Sequence, residues 1–409
     1  MIMKSVHENL DLTSLEFKNN AYKIYKELRE NEPVHEVKMP NGQKTWMITR
    51  YSDAVEVLKD NERITKRVYS LYPEKFASIL PEKELNLVGG HMLYADPPDH
   101  TRLRNIAQKA FTPRVIKGMV DEIQQLTNGL LDQLEEKGNV VDVIPDFAYP
   151  IPVTVICNML GIPEEDYGLI REWSDAYMLA SNNYANLTKI YPQLHAFRLY
   201  LEDLIANRQK NPKSDLTSLL VQAHDNGDKF SLDELVATIF VTIVGGHETT
   251  GGLISNGLFA LLENPEQLQL WKNDPSNART GVEELLRYYS PLEFATTRLA
   301  SKDFTWHNKN ITKGDYFFVS LASSNRDPEQ FENPERLDIT RKNNKHIAFS
   351  NGVHFCMGAQ LARLEAQIAI TSFLQRFPNY EVDGTLEELN WKKGTVIARG
   401  LERLPIILK

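Results

Sequence analysis

The stretch from Ser231 to Leu262 constrains the fold more than any other part of the chain. Ser231 and Glu234 stand in capping-box spacing and Pro265 closes the far end, so the pattern predicts one helix roughly 45 Å long at about 1.5 Å per residue. Leu235 to Leu261 is apolar or small almost all round, which suits only a helix surrounded by protein. A central helix of that length needs a large body around it, and 409 residues supply one without disulfide staples. Yet its middle holds Gly245, Gly246, Gly251 and Gly252, each costing about 1 kcal/mol relative to Ala in a helix interior. That cost predicts a close approach. The same segment carries Glu248 and Thr249, an acid and a hydroxyl that need hydrogen-bonding partners in such surroundings. A back-bond from Thr249 to its own helix would satisfy the hydroxyl without any function.

The chain from about Leu15 to Leu286 reads as mostly helical. Thr112-Pro113 marks a helix start, Val115, Met119, Ile123, Leu126, Leu130 and Leu134 recur at helical spacing, and Gly138 marks the end. Strand-like pieces are few: Thr45 to Thr49 after the turn Pro40-Asn41-Gly42, Phe304 to Trp306, Tyr316 to Ser320, and a stretch near Val396. The fold class is therefore mainly α with a minor β region. No Ser/Gly-rich linker, repeat or low-complexity tract divides it, which points to a single domain over 1–409.

The longest nearly apolar run, Leu235 to Gly246, is too short to cross a bilayer, and Met1 to Asn20 has no apolar core of signal-peptide length. A cytoplasmic protein without membrane anchor is expected. A formal net charge of −9 disfavours nucleic acid as a partner. Cys157 and Cys356, the only cysteines, lie too far apart in sequence to suggest a disulfide framework. Cys157 sits in an apolar run and reads as a small buried hydrophobe.

Cys356 differs. It stands between two turn-forming glycines, Gly352 and Gly358, at the mouth of a helical run beginning Ala359-Gln360-Leu361, where backbone N–H groups and the positive helix end stabilise a thiolate. Phe349, Gly352, His354, Cys356 and Gly358 match the cysteine loop of cytochromes P450 position by position, and the chain resembles the soluble bacterial members of that family. The resemblance implies a non-covalent haem b whose iron is ligated by Cys356, buried between the long helix and the cysteine loop; no Cys-x-x-Cys-His attachment motif is present.

Three further segments match the family in order. In Asp96 to Arg104, His100 and Arg104 share a helix face and would bind a haem propionate, as would Arg298 and His354. Glu284 and Arg287 are three apart on a helix, a spacing usually worth only a surface pair; the family likeness implies a buried brace for the haem loop, locked by Arg336. In the centre of the long helix, the family likeness implies that Gly245 and Gly246 leave room for dioxygen and that Thr249 with Glu248 supplies protons; His247 reads as a packed or solvent-linked residue. By analogy the pocket is lined from Val241, Val244, Gly245, Phe294, Ala295, Thr395 and Val396, with Lys66 to His91 and Tyr177 to Tyr191 as mobile walls.

The implied activity is a monooxygenase that inserts one atom of O2 into an apolar small molecule such as a polyketide, terpenoid, steroid or fatty acid. No dinucleotide-binding Gly-x-Gly-x-x-Gly follows a strand, so NAD(P)H would act indirectly, through a reductase and a ferredoxin or flavodoxin. Arg102, Lys109, Arg114, Lys345 and Arg363 are the candidate docking face for such a partner. A peroxide-driven peroxygenase and a non-catalytic haem- or ligand-binding protein are the alternatives. The Glu248/Thr249 pair argues against both.

Overall fold

The computed structural model describes residues 10–38, 43–181, 184–225 and 231–409. The expected central helix runs Leu232–Glu263, and its capping box closes in both directions: Glu234 N donates to Ser231 Oγ at 3.1 Å and Ser231 N to a Glu234 carboxyl oxygen at 2.8 Å. Helices Glu82–Gly89, Pro150–Leu160, Tyr191–Lys210, Ala278–Tyr288 and Ala359–Arg376 all pack on it. Its glycines explain how they come so close. A Cβ on Gly251 would stand 2.9 Å from the Tyr149 ring, and one on Gly246 would stand 3.3 Å from Ile156. Gly245 is different: nothing lies within 4 Å of its absent Cβ, so this turn faces open space.

The helix expected from Thr112 to Gly138 is two helices, Pro113–Gly118 and Val120–Lys137. Both marked ends are present, with the Thr112 hydroxyl accepting from Val115 N and Gly138 in a left-handed conformation at φ 120°. Val115 is 40 % exposed while Met119, four residues on, is 7 % exposed. An unbroken helix would put the two on one face, and the break at Met119 reorients the stripe.

A five-stranded sheet runs in the order Val34–Lys38, Lys44–Ile48, Tyr316–Val319, Arg298–Ala300, Ile64–Thr65. Lys44–Ile48 and Tyr316–Val319 pair in parallel, and the other neighbours are antiparallel. Thr65 opposes Leu299, so the chain leaving Ile64–Thr65 at Lys66 emerges beside Arg298. The turn Pro40-Asn41-Gly42 lies outside the described residues. Near Val396 no regular strand forms. Isolated bridges join Leu292 to Ala398 and Trp391 to Leu401, and the segment is held by a buried polar knot instead. In that knot Glu293 receives the Lys18 ammonium, the Tyr25 hydroxyl at 2.9 Å and Arg399 at 3.1 Å.

Lys66 to His91, expected as a mobile wall, is built from Val68–Leu71, Pro73–Ala77 and Glu82–Gly89. It is pinned to Tyr191–Lys210 by buried Glu84, which accepts from Arg198 at 2.9 Å and pairs with His195 at 2.9 Å. In the second expected wall, Tyr177 is buried with its ring 5.0 Å from that of Phe240. No helix among the described residues is long and apolar enough to cross a membrane.

Candidate active site

The cysteine loop is shaped by two left-handed residues, Ser350 at φ 65° and Gly352 at φ 73°. Only glycine fits at the latter, because a Cβ there would lie 2.6 Å from the Leu58 carbonyl oxygen. Gly358 is not a left-handed turn residue, as two turn glycines would have required. It caps the helix Ala359–Arg376 at φ −81°. Cys356 N donates to Phe349 O at 2.9 Å, closing the loop, and the Arg363 guanidinium covers the Phe349 ring at 4.5 Å. Burial pushes the Cys356 thiol up, while backbone N–H groups of Gly358 and Ala359 and the charges of Arg104 and Arg363 pull it down. Yet the residue is exposed by surface area. A group both accessible and crowded lines a recess.

Around that recess lies an excess of positive charge. His100 is buried on Asp99–Ala107 with Arg104 one turn on, and its ring centre is 4.3 Å from that of His354. Arg298 is buried on the sheet, and burial pulls its pKa down to about 10. Lys66, which sequence reasoning treated only as part of a wall, is buried beside it and donates to Thr296 Oγ1 at 2.7 Å and Thr297 O at 2.8 Å. Burial first, then Lys66, His100, Arg298 and Arg104, holds the His354 pKa down to about 2. The histidines are therefore neutral, Lys66 and Arg298 face one carboxylate, Asp96, with burial pulling the Lys66 ammonium well down, and Arg104 lies toward Cys356. The cationic groups thus outnumber the carboxylates that face them. Arg298 Nη2, His100 Nδ1, His354 Nε2 and both ring nitrogens of His91 are buried without a hydrogen-bond partner. Orphaned buried donors and unmatched charge are costly unless something fills them. A haem, with two propionates and an iron for the Cys356 sulfur, fits this donor set. Lys66 could have been suspected only from its adjacency to the short strand, since a lone Lys carries no motif.

On the central helix, Glu248 and Thr249 are both partly exposed and line one small cavity. The Thr249 hydroxyl donates to Gly245 O at 3.1 Å, so the bland back-bond exists and its oxygen is left to accept. Glu248 Oε2 is buried without a partner, and burial pushes its carboxyl up. His247 turns away: its ring nitrogens lie 3.4 Å from Ser174 Oγ, 3.3 Å from Ile243 O and 3.1 Å from Asp175 Oδ1, tying the central helix to Tyr167–Ala180.

The pocket positions divide. Val241 and Gly245 are accessible, whereas Val244 and Thr395 are buried, at 5 % and 8 % exposure. Phe294 and Val396 do not line a pocket. Phe294 is fully buried between the rings of Tyr25 and Phe318, in one apolar cluster with Val396, and Ala295 lies in the sheet's own cluster. Thr296, not Phe294, reaches the cationic cluster, its hydroxyl oxygen accepting from the Lys66 ammonium.

The brace is more extensive than expected. Glu284 and Arg287 are fully buried and joined by two hydrogen bonds, 2.8 and 2.7 Å. The guanidinium that also reaches Glu284 belongs to Arg341, at 3.0 Å, whereas Arg336 enters only through its carbonyl, 2.9 Å from Arg287 Nη2. The expected lock by the Arg336 side chain is thus corrected; two arginines, Arg336 and Arg341, follow the Pro334 turn, and chain path alone selects which one turns inward. Neighbouring Glu283 accepts from Arg363 at 2.6 Å and pairs with His346 at 3.0 Å, joining both flanks of the cysteine loop.

Burial pushes the Glu283 carboxyl up, but His346 and Arg363 outweigh it and hold its pKa at about 2. A depressed carboxylate stabilises the fold above its unfolded pKa, and that contribution is lost as pH falls from about 4.5 toward about 2. Between pH 5 and pH 3 Glu283 should cost the wild type about 1–2 kcal/mol of stability, discounted for its partial exposure. Glu283→Gln should start less stable at pH 5 and lose correspondingly less by pH 3 in urea titrations. Parallel losses in both proteins would remove the ion pair from the acid response.

A profile of the family described as Cytochrome P450 matches residues 9–271 and 279–397. The chain is 42 % identical over 397 residues to the polyketide biosynthesis cytochrome P450 PksS of Bacillus subtilis (strain 168), covering 96 % of this chain and 97 % of that one. It is 35 % identical over 403 residues to the 6-deoxyerythronolide B hydroxylase of Saccharopolyspora erythraea, covering 97 % and 98 %. Among solved structures, the myxobacterial cytochrome P450 CYP267B1 in complex with myristic acid matches with a TM-score of 0.92 at 34 % identity, over 98 % of this chain and 99 % of that one.

Proposed function

Because the chain belongs to the cytochrome P450 family and is a haem-dependent monooxygenase of it, we propose that it inserts one oxygen atom from O2 into an apolar, polyketide-like small molecule. The observation that carries this reading is the orphaned Glu248 carboxyl beside Thr249 at the open turn of Gly245, on the helix that packs against the cysteine helix. When bound, haem ligated by a thiolate supplies the oxygen-activating chemistry. Cys356 would hold the iron, with Gly358 and Ala359 steadying its charge. His100, Arg104, Arg298, His354 and, from the structure, Lys66 would hold the propionates. Val241, Val244 and Gly245 would present an apolar face to the substrate. Glu248 would hold and release the proton, and the Thr249 oxygen, open on the side away from the Gly245 back-bond, would accept a hydrogen bond from the group that carries it. Relatives named for polyketide biosynthesis and for 6-deoxyerythronolide B support a polyketide.

Electrons would come from a separate ferredoxin or flavodoxin with its NAD(P)H-dependent reductase, and the compartment would be the cytoplasm. Of the proposed docking residues, Arg102 is paired with Glu234 and Arg363 with Glu283, and the exposed ones are Lys109, Arg114 and Lys345. Phe355, next to Cys356 and 41 % exposed, adds an apolar contact for such a partner.

The test is a screen for macrocyclic polyketides that change the haem spin state, followed by turnover under isotopic O2 with a surrogate ferredoxin system. Label from O2 in the product supports the monooxygenase. Label only from supplied peroxide would make the protein a peroxygenase, and no product under either oxidant would make it a binder. Under the same conditions Thr249→Ala should keep haem and substrate binding and continue to consume NAD(P)H, while product per NAD(P)H falls roughly tenfold or more and peroxide rises, on the scale of a lost proton-transfer group. Equal coupling in both proteins would reduce Thr249 to its back-bond.

A further inference from the structure

Between the central helix and the C-terminal loops lies a cavity of about 10 Å³, room for a single water. Its lining includes Tyr149, Glu248, Thr249, Lys392 and Arg399. Lys392 is partly exposed, so it spans the distance between the cavity and solvent. Its Nζ donates to the Tyr149 hydroxyl at 3.3 Å and lies 5.0 Å from the centre of the same ring. The other charged groups are committed elsewhere. Arg399 is held through Nη1 and Nη2 by Glu293 and the Lys18 carbonyl and is stacked 3.9 Å from the Trp391 ring centre, which leaves only its buried Nε without a partner. His247 and Asp175 also act electrostatically on Glu248, but they pair with each other outside the cavity lining.

Resting on the proton-delivery reading above, we infer that Lys392 is a positioning residue for proton entry: held by Tyr149, its ammonium anchors one water in the cavity, through which solvent reprotonates Glu248. Each time Glu248 gives a proton toward Thr249, a carboxylate remains that the ammonium stabilises. The cavity water passes it a proton and takes one from solvent at the Lys392 edge. One proton thus crosses, and no group changes its net state. The electrostatics agree with this geometry. Burial pushes Glu248 up, and Lys392 is the largest influence pulling it back down. Burial pulls Lys392 down, but Tyr149 and Glu248 outweigh it, so it stays charged.

The test begins on the ferric holoenzyme without turnover. The carboxylic C=O infrared band that is absent in Glu248→Gln is titrated with pH. Its midpoint should rise by about one pH unit or more in Lys392→Met, the scale of a lost opposite charge nearby, and stay within about 0.3 unit in Lys392→Arg. In turnover Lys392→Met should lose roughly three- to tenfold in product per NAD(P)H, a fraction of what a whole proton-transfer group contributes, and Lys392→Arg should restore it. An unmoved midpoint, or a moved midpoint with wild-type coupling, overturns the role of Lys392. If Glu248→Gln still uncouples in that case, the acid reading stands and entry lies on the Asp175 side, which His247→Gln would then expose. Full coupling in Glu248→Gln removes the reading beneath this one.

Discussion

Cys356→Ser is expected to fold normally and to lose the long-wavelength Soret band of the reduced carbon monoxide complex. The thiol closes no packing contact that a hydroxyl of similar size would break: the loop is held by Phe349 O, Gly352 and the Arg363–Phe349 stack, none of which uses the side chain. What the substitution removes is the soft, anionic ligand steadied by Gly358, Ala359, Arg104 and Arg363. Haem should still bind more weakly through the cationic cluster, because Lys66, Arg104 and Arg298 are unchanged. Turnover should fall by roughly 100-fold or more, since even the outer partners of a metal ligand are worth about 10- to 100-fold. The measurement is haem stoichiometry, circular dichroism and the carbon monoxide difference spectrum on one preparation. An intact long-wavelength band in the serine variant would assign the iron ligand elsewhere.

Arg287→Ala should cost about 3–5 kcal/mol, the scale of stranding one partner of a buried pair. Arg287 is fully buried and donates to both oxygens of Glu284 and to the carbonyls of Asn325, Pro334 and Arg336. Its removal takes two donors and the nearest countercharge from a buried carboxylate that keeps Arg341, Asp338 N and Asn344, and one donor from each of three carbonyls. Against a total stability of about 5–15 kcal/mol, that loss should cut soluble yield, lower the melting temperature and loosen haem retention. The same Asn325 fixes the cysteine loop, its side chain accepting from Ile347 N at 2.8 Å, so damage there reaches the haem site directly. Arg336→Ala should be nearly neutral because only its carbonyl is used, and Arg341→Ala should fall between the two because its guanidinium contacts Glu284 at 3.0 Å. An Arg336→Ala variant as damaged as Arg287→Ala would contradict this geometry.

Much of this was legible in the residues alone, and the reason is range. The capping box at Ser231 and Glu234, the left-handed glycine at Gly352, the helix mouth after Cys356 and the i, i+3 pair Glu284/Arg287 are all defined within a few positions of chain, where φ/ψ limits and helical periodicity act. The split at Met119 was not legible, because a continuous apolar period cannot tell whether one stripe faces one core or two. Nor was the burial of Phe294, whose side of the chain depends on what Tyr25 and Phe318, hundreds of residues apart, place beneath it.

The amino-acid sequence by itself determined the central helix, the cysteine at its helix mouth, the acid–hydroxyl pair and the Glu284/Arg287 spacing, since each is a local pattern, while the burial of that pair was implied only by the family likeness. Tertiary structure alone decided that Lys66 joins Arg298 across a sheet register, that Arg341 and not Arg336 reaches Glu284, and that Lys392 meets Tyr149 beside Glu248. A lysine or arginine looks the same everywhere in a sequence. Its effect comes from the dielectric and the countercharges around its head group, and those are set by which distant segments the fold brings together.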